Sequence, residues 1–241
     1  MLTNINPEDI LFLDIETVPG SESFGNLDPV FQTLWEKKSR QFRDDDQTPD
    51  EVYERAGIYS EFGKIICISV GIVKIKDSGF IRLKSFYGQD EKALLADFSD
   101  LVGKFCKLKK EAVLCAHNGR EFDFPYISRR MIINRIPLPE IFDNAGKKPW
   151  DIKHLDTMDL WKFGDYKNYT SLELLTTILG IPTPKDDIDG SMVSGIYYKE
   201  NDIQRIVRYC EKDVLAIAQV LLRFMNLPAI SDDKVESVTF E

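Results

Sequence analysis

Two carboxylates stand two residues apart inside an apolar run near the start of the chain, in Phe12-Leu13-Asp14-Ile15-Glu16-Thr17. Residues 10–16, ILFLDIE, have the composition of a buried strand. Period-two geometry puts Asp14 and Glu16 on one face of that strand and Leu13 and Ile15 on the other. Like charges side by side repel, and burying them is costly unless a cation sits between them. Two readings are open for such a pair. Either the strand end is wet and the acids are solvated, or a hard divalent ion with oxygen ligands, Mg²⁺ or Mn²⁺, lies against them.

The rest of the chain is long enough to build around such a strand. Its 241 residues are 43% hydrophobic and 29% charged, which supports a sizeable core and excludes wholesale disorder and fibrous repeats. There is no internal repeat and no linker rich enough to divide it, so a single domain over 1–241 is expected. No run approaches the length of a membrane span, and the start MLTNINPEDI lacks the basic and apolar regions of a signal peptide. The expected location is the cytoplasm, with no membrane partner. Cys67, Cys106, Cys115 and Cys210 are far apart and form no Cys-x-x-Cys pair, so reduced, mostly buried thiols are expected. Charge points away from bulk attraction to polyanions: 31 Lys+Arg against 40 Asp+Glu leave −9.

Periodicity places the other elements. Residues 64–75 and 80–87 read as strands joined by a turn at Asp77-Ser78-Gly79. A helix is expected over 90–105, a short buried strand over 112–116, and a helix from about 122 to 135. A short strand is expected around 154–160. A capping box, Thr170-Ser171-Leu172-Glu173, opens a helix that closes at Gly180. Residues 181–195 are a Pro/Asp/Gly-rich loop, and a long helix spans about 202–225. Residues 20–60, polar and punctuated by Pro29 and Pro49, read as an insertion with one or two short helices. Residues 228–241 read as a flexible tail. The order implies an α/β fold with a mixed central β-sheet flanked by helices.

Three further acids fall at element ends. After the strand at 112–116, His117-Asn118-Gly119-Arg120-Glu121-Phe122-Asp123-Phe124 turns into a helix and puts Asp123 in its first turn. The helix dipole favours an acid there in any case. Its place between Phe122 and Phe124 is less natural for a merely solvated group. On the last helix Tyr209 and Asp213 are four residues apart and share a face beside the stripe Val214, Ile217, Ala218, Leu221 and Leu222.

In this order the pieces resemble a family. Asp14-x-Glu16, Asn118-Gly119-Arg120-x-Phe122-Asp123 and Tyr209-x-x-x-Asp213 look like the three motifs of DEDDy 3′–5′ exonucleases. The likeness is to the proofreading-exonuclease domain of family-B DNA polymerases, in stand-alone form. His154-Leu155-Asp156-Thr157-Met158-Asp159-Leu160 and Asp189-Gly190-Ser191-Met192-Val193 resemble segments of a bacterial stand-alone group. The likeness covers nearly the whole chain and is weakest in 20–60. The sister group that carries histidine in the last motif is a poorer fit, because His154 and Asp159 lie in a strand-like segment and position 208 is Arg.

The resemblance implies a ribonuclease H-like fold and two-metal hydrolysis of 3′-terminal nucleotides. Asp14, Glu16, Asp123 and Asp213 would hold two ions, with Asp14 bridging, and Tyr209 would orient the attacking water. Ile15, Thr17, Asn118, Arg120 and Phe122 become candidate contacts to a single-stranded DNA end, and Phe122 can wedge against a terminal base, although aromatics are more often core. His117 is a structural or substrate-edge residue, and Asp156 and Ser191 are candidate supporting groups at the substrate side. Arg129, Arg130, Lys147 and Lys148 are candidate backbone contacts. Two alternatives stand: an exoribonuclease of ribonuclease D type, which shares the tyrosine motif, and a non-catalytic binding module, which should have lost one of the acids. The net charge then narrows the expected binding to metal-dependent engagement of a strand end.

Overall fold

A computed structural model of the chain describes residues 5–75, 79–165, 169–182 and 188–240. The Asp77-Ser78 part of the expected turn and residues 183–187 of the expected loop lie outside them.

The acid-bearing strand is central. β1 (Ile10–Pro19) pairs antiparallel with β2 (Gly63–Lys74), which pairs antiparallel with β3 (Phe80–Tyr87). After the helix α2 (Glu91–Leu108), β4 (Val113–Ala116) lies parallel to β1 on its other side, and the two-residue β5 (Leu155–Asp156) lies parallel to β4. With β6 (Val235–Ser237) on β3, the six-stranded order is β5-β4-β1-β2-β3-β6. This is the expected mixed sheet.

Helices cover both faces, and the side-chain alternation of β1 explains how. Leu11, Leu13 and Ile15 pack against α2 (Glu91–Leu108) and α3 (Asp123–Ile133), meeting Leu95, Phe98, Phe124 and Ile127. Ile10 and Phe12 pack on the other face against Val214, Ile217 and Leu221 of α7 (Ile203–Phe224). Asp14 and Glu16 continue the second series, so they point toward α7. A bulge between Glu16 and Thr17 shifts the register with β2 at that point, as strands often do beside a site.

Segment 20–60 has its own aromatic cluster. α1 (Pro29–Ser39), capped by Asp28, buries Trp35 completely among Phe42, Tyr53, Tyr59 and Phe62. A 3-10 turn, Tyr53–Ile58, follows, and Gly57 O accepts hydroxyls from Thr17 at 2.9 Å and Tyr126 at 2.7 Å. The segment is therefore stitched to the far end of β1.

Several expected elements differ in the structure. Residues 154–160 do not form one strand: after β5 the chain turns into α4 (Thr157–Lys162), because the Asp156 carboxylate caps the N–H groups of Met158 and Asp159. The tail does not fray over 229–239. Ile230 exchanges two hydrogen bonds with the Gln219 side chain, and β6 then joins the sheet edge. Between these lie α5 (Leu172–Ile178), with Ser171 rather than Thr170 as its cap, and one turn, α6 (Val193–Gly195), that runs into a π-helical turn at Ile196–Glu200. Gly180, with φ 63, ends α5 as expected.

Candidate active site

The four acids come from three elements. β1 delivers Asp14 and Glu16 to the α7 side of the sheet, and ligand atoms of Asp14, Glu16 and Cys210 lie within 4.8 Å of one another. Asp123, the first residue of α3, is brought to the same end by the 116–122 turn. Asn118 takes the left-handed φ of 63 there. Gly119 follows where a Cβ would stand 2.4 Å from the Ala116 side chain. Asp213 follows from α7, and Tyr209 hydrogen-bonds to it.

Electrostatics identify these residues as one cluster. Burial holds the Asp14 carboxyl well above its usual range, and Asp123, Asp213 and Glu16 push it further. Glu16, only 8% exposed, is raised by burial and then by Asp213, Cys67 and Asp123. Burial lifts Asp123 from an ordinary 3.8 to about 7, against the pull of backbone N–H groups including that of Ile15. One of its carboxylate oxygens, Oδ1, is buried without a hydrogen-bond partner among the described residues. The Tyr209 hydroxyl is raised far above its ordinary value by burial and the neighbouring acids, so it stays protonated.

The carboxyl charges acting on Asp14 are all negative, and its oxygen-rich surroundings suit a hard divalent cation. The orphaned Asp123 oxygen fits the same occupant.

The other expected site residues are placed differently. Asp156 is 2% exposed, and its oxygens accept N–H groups from Asn118, Arg120, Met158 and Asp159 at 3.0–3.3 Å. It braces the turn that carries Asp123 and has no free face for a substrate. His117 uses both ring nitrogens, on Thr157 Oγ1 at 2.8 Å and Thr170 O at 2.9 Å, and burial lowers its pKa, so it too is structural. The Arg120 guanidinium donates to His154 O and Ile152 O and pairs with Asp159. Arg130 is committed to the Glu91 carboxylate and to Ser60 O, so it does not serve as a phosphate contact. Ile15 is buried, and the Thr17 hydroxyl is taken by Gly57 O. Half-buried Phe122 leans on Tyr126 with ring centroids 5.3 Å apart. Ser191 bonds to Asp189 through both its N–H and its hydroxyl. Sequence reasoning missed Cys210 as a neighbour of the acids, although its place between Tyr209 and Asp213 was the available signal.

The raised carboxyl values have a sign that melting experiments can read. The folded cation-free chain keeps on Asp123 a proton that the unfolded chain releases between pH 3.8 and about 7. The unfolded state binds fewer protons there, so this group's contribution to stability falls as pH rises through that window. Melts of chelated protein across the window should show that decline, and Asp123→Asn should flatten it. Identical pH profiles for the two proteins would contradict the buried assignment.

Comparison with known proteins bears on the family and the fold. A family model described as "Predicted 3'-5' exonuclease related to the exonuclease domain of PolB" matches residues 58–238. That span holds Asp123, Tyr209 and Asp213, while Asp14 and Glu16 lie ahead of it. No curated protein matches by sequence. Among solved structures, the chain is similar to the family B DNA polymerase of the hyperthermophilic archaeon Pyrobaculum calidifontis, with TM-score 0.52 and 19% identity. The match covers 90% of this chain and 25% of the polymerase, so the chain spans about a quarter of that protein's length. This likeness bears on the fold, which is the ribonuclease H-like arrangement of a mixed sheet between helices. The match over most of the chain decides the family: the chain belongs to the predicted 3′–5′ exonucleases related to the exonuclease domain of PolB.

Proposed function

We propose that the chain, acting as one domain, removes 3′-terminal nucleotides from single-stranded DNA with two divalent cations, Mg²⁺ or Mn²⁺. Asp14, Glu16, Asp123 and Asp213 hold them. The observation that carries this reading is the convergence of acids from β1, α3 and α7 on one buried spot, where Asp14 and Glu16 each feel both Asp123 and Asp213. Cations bound there supply charge neutralisation and Lewis acidity for in-line attack of water on the terminal phosphodiester. The chain's own part is to keep four carboxylates together against their repulsion and to exclude bulk water from Glu16 and Asp123.

Tyr209 has a separate task. Its hydroxyl is hydrogen-bonded to Asp213 and burial raises its pKa, which suits it to orienting water as a dipole rather than acting as a base. Tyr209→Phe should lower the single-turnover rate by about 10²-fold at most, the scale of a misplaced reactant, and leave residual activity. An unchanged rate removes Tyr209 from the mechanism.

Phe122 is the proposed contact to the terminal base, because it is half-buried and immediately precedes Asp123. The family's stated relation to PolB favours DNA. Matched single-stranded DNA and RNA, digested side by side, test the choice. Faster loss of the DNA strand is expected, and equal or faster loss of the RNA places the chain with ribonuclease D-type enzymes instead.

A further inference from the structure

Behind Asp14 runs a line of buried polar side chains that catalysis as described does not use. Cys210 places its sulphur 3.4 Å from Asp14 Oδ2 and 3.5 Å from Asp14 O. Cys67, opposite Glu16 on β2, lies within hydrogen-bonding reach of Cys210. The line continues from Cys67 to Ser69 Oγ at 3.6 Å, from Ser69 to Ser85 Oγ at 2.7 Å, and from Ser85 to Glu211 Oε1 at 3.0 Å. Ser237 of β6, at 3.1 Å, and Thr239 donate to the same Glu211 oxygen. Cys67, Ser69 and Cys210 are fully buried, and Ser85 and Glu211 nearly so.

Counting protons gives the line a direction. Each hydroxyl or thiol has one to donate. Ser85 gives its proton to Glu211, so Ser69 donates to Ser85 and Cys67 donates to Ser69. Cys67 therefore turns a lone pair, not its proton, toward Cys210. The Cys210 proton goes to the strongest acceptor in reach, the Asp14 carboxylate. Polar groups inside a sheet carry a desolvation cost that apolar residues of the same size would not, and a fully paired row fixes its members in one arrangement.

We propose that Cys210 is a positioning residue for Asp14: its thiol holds the carboxylate beside Glu16, and the row Cys67–Ser69–Ser85–Glu211, fastened by the C-terminal strand, fixes the Cys67 sulphur against which that thiol packs. The inference rests on the reading of Asp14 as a cation ligand. Partners behind a ligand set its orientation and typically matter about 10- to 100-fold in metal affinity. A thiol is a weak donor, which puts the expected effect at the lower end.

The test is Mn²⁺ binding to the full chain by titration calorimetry, with a melt of each variant. Cys210→Ala should weaken Mn²⁺ binding about tenfold while remaining folded, and Cys210→Ser, which keeps a donor, should restore most of it. Asp14→Asn should abolish the tight binding. Wild-type affinity in folded Cys210→Ala, with binding lost in Asp14→Asn, overturns the positioning role alone. Wild-type affinity in Asp14→Asn overturns the ligand reading and the inference with it. Should Cys210→Ala fail to fold, Ser69→Ala breaks the row without touching Asp14 or Cys210. Weakened Mn²⁺ binding there upholds the inference, and unchanged binding overturns it.

Discussion

Asp14→Asn should abolish release of 3′-terminal nucleotides and, without divalent cations, raise the melting temperature. The activity loss should be about 10³-fold or more, beyond the 10- to 100-fold that partners behind a metal ligand cost. The stability gain has the same origin. Asp14 sits among Asp123, Asp213 and Glu16, and each of these charges disfavours its ionised form. Replacing one acid with a neutral isostere removes repulsion that only cations relieve. Asp213→Asn should behave likewise, since Asp213 acts on both Asp14 and Glu16. An exonuclease assay and a chelated melt on the same preparation check both halves. Full activity, or an unfolded variant, contradicts the assignment.

Glu91→Ala should be the most damaging substitution away from the site. Glu91 opens α2, is 8% exposed, and accepts from Ile65 N at 2.7 Å, Arg130 Nε at 2.8 Å, Arg130 Nη2 at 2.5 Å and Asn134 Nδ2 at 2.9 Å. One carboxylate thus joins α2, β2 and α3, the helix that begins at Asp123. Arg130 also donates to Ser60 O at 2.9 Å, which extends the tie to the segment leading into β2. Removing the acid strands a guanidinium whose side chain is 12% exposed. Breaking a buried pair this way costs about 3–5 kcal/mol. Urea unfolding measures it. A loss below about 1 kcal/mol, the range of exposed ion pairs, would show that Arg130 finds water instead.

What could be read from residue order was whatever followed a short period. Alternation along ILFLDIE placed Asp14 and Glu16 on the face that α7 covers, and the four-residue spacing of Tyr209 and Asp213 placed both on one face of that helix. The strand-turn-helix at 113–123 was legible because Asn118-Gly119 interrupts an apolar run. What escaped depended on partners distant in sequence. Asp156 looked like a substrate-side acid, yet its oxygens are filled by N–H groups of the 118–120 turn and of α4. Nothing in the residue order marks Glu211, which is buried against Ser85 of β3 and against Ser237 and Thr239, brought back beside it by β6. The polar tail carried no strand signal because three residues pair only where an edge already exists. Segment 20–60 reads as polar, yet its aromatic residues, spaced irregularly, close around Trp35 in three dimensions.

Buried acids that act through cations at 3′ ends should show themselves in one assay. The most direct measurement uses a single-stranded oligonucleotide carrying a 3′-terminal label, incubated with the protein and Mg²⁺ or Mn²⁺, or with chelator. Early release of labelled mononucleotide is expected with either cation, none with chelator, and none from Asp14→Asn. Release that persists in chelator, or that begins at the 5′ end, would contradict this reading.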